Sequence, residues 1–143
     1  MTHIGDTMNK ISALILLAVL AFPFAVWSAN VCRNGAVIAQ IDASGAVRIN
    51  GSIEAKFEPD GTIRRGGLVV GRIERNGNVV KNGIILGTVD ANGTVYRNGS
   101  IIGSVQNNGN VVRNGSVIGS AAGIPSKQAA VFFFFMLTAE LMK

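Results

Sequence analysis

From Val31 onward the chain repeats a phrase of 16 residues, V-x-R-N-G-x-V-I-G-x-V-D-x-N-G-x. Its first branched residue falls at Val31, Val47, Ile63, Val79, Val95 and Val111, with no insertion between copies. Five full copies and a half copy fill residues 31–122. Strict length makes each copy one structural unit, and such units bury their apolar faces only by stacking on neighbours. Positions within the phrase are numbered 1 to 16 from the Val31 column.

Positions 4 and 5 read Asn34-Gly35, Asn50-Gly51, Gly66-Gly67, Asn82-Gly83, Asn98-Gly99 and Asn114-Gly115. Asn-Gly and Gly-Gly tolerate positive φ at both central residues, which a two-residue type I′ hairpin requires. Positions 13 to 15 read Ala43-Ser44-Gly45, Pro59-Asp60-Gly61, Arg75-Asn76-Gly77, Ala91-Asn92-Gly93 and Asn107-Asn108-Gly109. Pro59 suits the second residue of a type I turn and the closing glycine suits a G1 bulge, so these are three-residue hairpin loops. No glycine-rich stretch is followed by a lysine and a helix, which removes the phosphate-cradling reading of these glycines.

Between the turns β-branched residues dominate, with Val37, Ile53, Val69, Ile85, Ile101 and Val117 at position 7 and Ile41, Phe57, Ile73, Val89 and Val105 at position 11. Their even spacing predicts that both columns share one strand face. The small residue between them, Ala39, Ala55, Gly71, Gly87, Gly103 or Gly119, reads as a corner where the strand bends or another backbone approaches. Short strands with tight turns expose edges unless the sheet closes. Residues 36–115 make five units, and the flanks 31–35 and 116–122 are placed to pair and close a ring. The expected fold is all-β: a closed radial array of short antiparallel β-hairpin repeats, about five 16-residue units, with a short C-terminal apolar helix or strand.

In its repeated RNGxIIGxVxxNGxV block the chain resembles the five-fold beta-flower proteins, secreted bacterial repeat domains of short antiparallel strands around a central axis. The resemblance covers residues 31–122 and rests on repeat length and the Asn-Gly turns. It implies the fold and a bacterial envelope setting, and it implies no reaction, cofactor or binding residue. The second copy departs from the pattern, with Ile49 at the arginine position and Glu54 at an aliphatic one, so that unit is expected either to be distorted or to face a partner.

The ends are of different composition. Asn9 and Lys10 precede an uninterrupted apolar stretch, 11–27, that ends at Ser28 and Ala29, the layout of a secretory signal peptide over residues 1–28. Translation from Met1 or Met8 both fit, and an uncleaved anchor is the competing reading, although the stretch falls short of the roughly 20 residues a spanning helix needs. The expected destination is export to the periplasm, the outer-membrane surface or the exterior. Cys32 is read as a variable position-2 residue rather than a lipid acceptor, because bulky Val31 precedes it.

Residues 123–143 form a phenylalanine-rich tail, with Ser126 placed to cap a helix over about 127–142. Phe132, Phe133, Phe134 and Phe135 would cover every side of that helix. Three roles compete: a plug against the β-core, a membrane-surface or partner-docking segment, and an aggregation-prone strand. The plug is the plainest, since an exposed run of four phenylalanines is costly in a secreted protein.

Loss of the leader deletes His3, the only histidine, and leaves Cys32 as the only cysteine, which excludes a histidine triad, a Cys/His zinc cluster and an internal disulfide. The acids at position 12, Asp42, Glu58, Glu74 and Asp90, recur in equivalent settings, whereas paired catalytic carboxylates need different ones. The chain is therefore expected to be no enzyme and to use no cofactor or metal. The leader holds one cation, Lys10, and one acid, Asp6, so the net charge of +5 survives its removal. Arg33, Arg65, Lys81, Arg97 and Arg113 share position 3, where a ring of them suits an anionic polymer such as lipopolysaccharide or acidic glycan. The plainer reading is a solvated rim offsetting the position-12 acids. Too few aromatics interleave with these cations for nucleic acid. The sequence thus points to a structural or interaction module of the cell envelope, with an anionic envelope polymer or another envelope protein as partner and no membrane span in the mature chain.

Overall fold

The computed structural model describes residues 28–135; residues 1–27 of the expected leader, with His3 and both candidate start methionines, and the tail beyond Phe135 lie outside the described residues, while Ser28, read as the leader's last residue, opens the first strand. Twelve strands follow one another: β1 (Ser28–Arg33), β2 (Ala36–Asp42), β3 (Ala46–Ile49), β4 (Ser52–Phe57), β5 (Thr62–Arg65), β6 (Leu68–Ile73), β7 (Asn78–Lys81), β8 (Ile84–Val89), β9 (Thr94–Arg97), β10 (Ser100–Val105), β11 (Asn110–Arg113) and β12 (Ser116–Ser120). Each pairs antiparallel with its sequence neighbours, and β1 pairs with β12 through Cys32↔Ser120 to close a barrel. The two ends of the repeat array thereby complete the ring.

The turns follow from their residues. Both central residues of every position-4/5 turn have positive φ, for example Asn98 at 52° and Gly99 at 77°. At the other end of the barrel the loop glycine of each three-residue turn is also at positive φ, from 84° at Gly93 to 94° at Gly61. The barrel therefore has one end of type I′ turns and one end of three-residue loops.

The face assignment of position 7 is corrected by a β-bulge repeated in every hairpin. In β9–β10, Tyr96 faces Ile101 but Val95 faces Gly103, so Ile102 is skipped. The same shift recurs at Val31/Cys32, Val47/Arg48, Ile63/Arg64, Val79/Val80 and Val111/Val112. One extra residue reverses which side chains point inward. Position 8 therefore packs on the core, position 9 faces inward, and position 7 turns out to solvent. The second unit keeps the register of the others, with Val47↔Ala55 and Arg48↔Ile53, so Ile49 and Glu54 do not distort it.

The interior is layered. Val31, Val47, Ile63, Val79, Val95 and Val111 are each fully buried in one ring, and Ile41, Phe57, Val89 and Val105 of position 11 lie beside them. Full burial of such a side chain contributes about 1.5–3 kcal/mol. Helix α1 (Ser126–Ala130) closes the lumen and continues as a π-helical turn, Val131–Phe135. Pro125 occupies the N-cap with no side-chain cap, and its carbonyl accepts from Ala129 N at 3.1 Å, so Ser126 is the first helical residue and not the cap.

Candidate functional site

The tail enters the barrel at the three-residue-loop end, where Lys127 Nζ donates to the Arg75 carbonyl at 3.4 Å, and runs through the lumen so that its phenylalanines meet the position-3 cations towards the type I′ end. Phe132 is fully buried, Phe133 and Phe134 nearly so, and Phe135 packs partly against the core. Three of these rings are keyed to position-9 glycines. A Cβ on Gly119 would lie 2.6 Å from Phe133 Cε1, one on Gly103 2.5 Å from Phe134 Cζ, and one on Gly87 2.5 Å from Phe135 Cε1. Three consecutive phenylalanines thus enter β12, β10 and β8 in turn. An α-helix would advance about 100° per residue, whereas a π-helical turn advances less and lies nearer the spacing of successive hairpins.

The position-3 cations line the inner rim around this tail, since position 3 follows the inward position 1 by two residues. Arg97 Nη2 donates to the Phe134 carbonyl at 3.1 Å, and its guanidinium carbon stands 5.5 Å from the Phe135 ring centroid. Arg113 lies 6.0 Å from the Phe134 ring centroid. Cation–π contact at an exposed site adds about 0.5–1 kcal/mol. Arg33 is exposed, and Arg65 and Lys81 are half-buried on the same rim.

The position-12 acids are placed at the other end of the barrel. They lie at the three-residue-loop end and meet outward cations, with Asp42–Arg48 at 3.7 Å, Glu58–Arg64 at 3.4 Å and Glu74–Arg72 at 3.4 Å. At position 2 of the fifth copy stands Tyr96, whose hydroxyl donates to Asp90 Oδ2 of the fourth at 3.3 Å. Burial alone would push the Asp42 carboxyl up, but hydrogen bonds from the Ser44 hydroxyl and the Ala46 and Ser44 amides, with Arg48 beside it, bring it below the usual carboxylate range. Partial desolvation, then the Asp90 charge and hydrogen bond, push the Tyr96 phenol up. A groove of about 360 Å³ beside Pro125 and Lys127 opens at this end between Glu58, Asp60 and Glu74.

Sequence spacing missed the outward surface. Position 7 forms a circle of aliphatic side chains around the type I′ end, from 55% exposed at Val37 to 65% at Ile101, with Leu68 and Ile84 beside it at 73% and 65%. Between neighbouring hairpins the strands part towards the turns, because the β8–β9 ladder holds only Thr88↔Tyr96 and Val89↔Val95, and β10–β11 only Ser104↔Val112 and Val105↔Val111. Crevices of about 440, 370 and 300 Å³ open at β8/β9, β10/β11 and β12/β1, walled by Ile85, Ile101 and Val117. The signal for this surface was present at positions 7 and 8, where two adjacent apolar residues precede a small one and break the alternation of a regular strand.

Cys32 lies within β1 opposite Val37, and cleavage immediately before it would remove the fully buried Val31. Among the described residues no group of His, Cys, Asp and Glu is arranged to hold a metal ion, and no helix is long and apolar enough to cross a membrane. No family model, no curated protein and no solved structure matches this chain.

Proposed function

We propose that this chain is a non-enzymatic, exported bacterial repeat protein that serves as an interaction module of the cell envelope, with the type I′ end as its binding end. The observation that carries the reading is the circle of position-7 aliphatics, each more than half exposed, around the rim that bears Arg33, Arg65, Lys81, Arg97 and Arg113. Scattered exposed aliphatics need no explanation, whereas a continuous row on one end of a small barrel marks a contact surface. The repeated 16-residue units, five in residues 36–115, supply a rigid support for it, in keeping with the resemblance to beta-flower proteins.

The second reading, capture of an anionic envelope polymer by the basic rim, is favoured by the place of the described acids, all but Glu54 of which lie away from that rim. The position-3 cations crown one end, and Asp42, Glu58, Asp60, Glu74 and Asp90 gather at the other. Binding of the exported chain to lipopolysaccharide and to peptidoglycan fragments across a salt series tests both. A variant with Arg33, Arg65, Lys81 and Arg113 changed to serine retains Arg97, which holds the Phe134 carbonyl. Salt-sensitive binding lost in that variant is the expected result; catalytic turnover lost on a single substitution, or absence of binding to any envelope component, would overturn the proposal.

A further inference from the structure

The repeats are alike inside the barrel and unlike outside it. Positions 2, 7 and 10 point outward. On β3 to β6 they carry Arg48, Ile53, Lys56, Arg64, Val69 and Arg72. On the remaining strands, from β7 round through β12 to β2, they carry Val80, Ile85, Thr88, Tyr96, Ile101, Ser104, Val112, Val117, Ser120, Cys32, Val37 and Gln40, and no charge at all. The pairs Val80↔Ile85, Tyr96↔Ile101, Val112↔Val117 and Cys32↔Val37 make this flank an uncharged apolar sheet face at its type I′ edge.

Lys81, Arg97, Arg113 and Arg33 lie along the same edge. Of the described acids, Glu54 sits on β4 of the charged flank and the others lie at the far end of the barrel. Among the described residues this apolar row is bordered by cations and by no acid, which complements a surface that is negative at its face and apolar just beneath. That is the profile of an anionic bilayer. A second copy of the chain would present the same cations and repel them.

We infer that the β7-to-β2 flank of the type I′ end docks on an anionic lipid bilayer, an inference that rests on the proposed binding end and names its partner. Position 7 lies two residues from the turn glycine, about 7 Å at roughly 3.4 Å per residue. A barrel tilted onto this flank brings turn tips and aliphatic row together into the interfacial layer, about 5–10 Å deep. The crevices beside Ile85, Ile101 and Val117 open on this flank and give lipid chains room between the hairpins. The strands run for four to seven residues, shorter than the roughly 9–11 a membrane-spanning strand needs, so the geometry is one of docking and not of crossing.

Co-sedimentation of the exported chain with vesicles tests this, using phosphatidylcholine alone and phosphatidylcholine containing phosphatidylglycerol, with dextran sulfate as a soluble polyanion. The chain is expected to bind only the anionic vesicles. Arg33→Gln weakens binding about fivefold, the worth of one surface cation, and Lys56→Gln on the opposite flank leaves it unchanged. The triple variant Ile85→Ser, Ile101→Ser, Val117→Ser weakens it at least about tenfold, with its unfolding temperature measured alongside to show that the barrel persists. Equal weakening by Arg33→Gln and Lys56→Gln would overturn the flank, as would a dimer held together by the three aliphatics. Binding to dextran sulfate but not to vesicles, or vesicle binding untouched by the triple variant, would overturn the lipid inference and leave the anionic-surface reading standing. Binding to none of these would end both.

Discussion

The seating of Phe134 on Gly103 gives a quantitative test of the plugged barrel. A methyl group added at Gly103 would lie 2.5 Å from Phe134 Cζ and would also crowd the Val112 carbonyl. The backbone part of that crowding is relievable, because Ala39 and Ala55 occupy the same position in the first two units with the same bulged pairing. The ring has less room to move, since Phe134 is 8% exposed and carries the carbonyl that Arg97 grips. Overpacking of this kind costs about 1–3 kcal/mol, and each kcal/mol lowers Tm by about 4 °C or more in a domain of this size. Phe134→Ala alone leaves a cavity worth about 3–5 kcal/mol. The double variant gives the added methyl some of the space the ring vacated, so its loss falls short of the sum by about 1 kcal/mol or more. Urea unfolding followed by far-ultraviolet circular dichroism measures all three. Strict additivity, or a Gly103→Ala protein as stable as the parent, would refute the keyed plug.

Three further outcomes follow from the same geometry. Asn98→Ala places a methyl-bearing residue at φ 52° and is expected to cost about 1–2 kcal/mol, whereas Asn98→Gly stays within about 0.5 kcal/mol; urea midpoints compare them. Asp42→Asn loses the Arg48 ion pair and weakens three hydrogen bonds. Because the folded carboxyl titrates below 3.8, its contribution is present above that pH and fades as pH falls through the folded value, so the gap in stability from the parent narrows in acid unfolding. Val95→Ala, in the fully buried ring, is expected to cost about 2 kcal/mol, while Ile101→Ser, 65% exposed, stays within about 0.5 kcal/mol; thermal unfolding distinguishes them.

Much of the scaffold was legible because its local chemistry is unambiguous. Asn-Gly at positions 4 and 5 admits few conformations other than a type I′ turn, and the uninterrupted 16-residue spacing leaves the two ends 31–35 and 116–122 as the partners that close the ring, as β1 and β12 do. Face assignment was not legible by counting in twos. A bulge between positions 7 and 9 inserts one residue into the pleat and sends Ile101 outward while Val105 stays in, and period-2 arithmetic holds only along an unbroken strand. The tail was harder still. Four phenylalanines in a row carry no helical face, and their seats lie in the small column, where Gly87, Gly103 and Gly119 leave open the space that a side chain would fill.

What repetition cannot specify is direction, and the charges supply it. A ring of identical hairpins offers every flank equally to a partner, so a preferred side must come from positions where the copies differ. Interior positions are unavailable for this: position 1 stays Val or Ile in every copy because each fills the same layer of the lumen. The differences collect instead at positions 2 and 10, where Arg48, Lys56, Arg64 and Arg72 on one side give way to Val80, Thr88, Tyr96, Ser104 and Val112 on the other. The first set serves partly inside the molecule, since Arg48 and Arg64 pair with Asp42 and Glu58 across the loop end. Exposed pairs of this kind contribute at most about 1 kcal/mol. Their replacement by Val80 and Val112 therefore costs the fold little and exposes apolar surface that the fold itself does not use. Stability is nearly indifferent to that exchange, and the docking proposed for this flank is the property it would change.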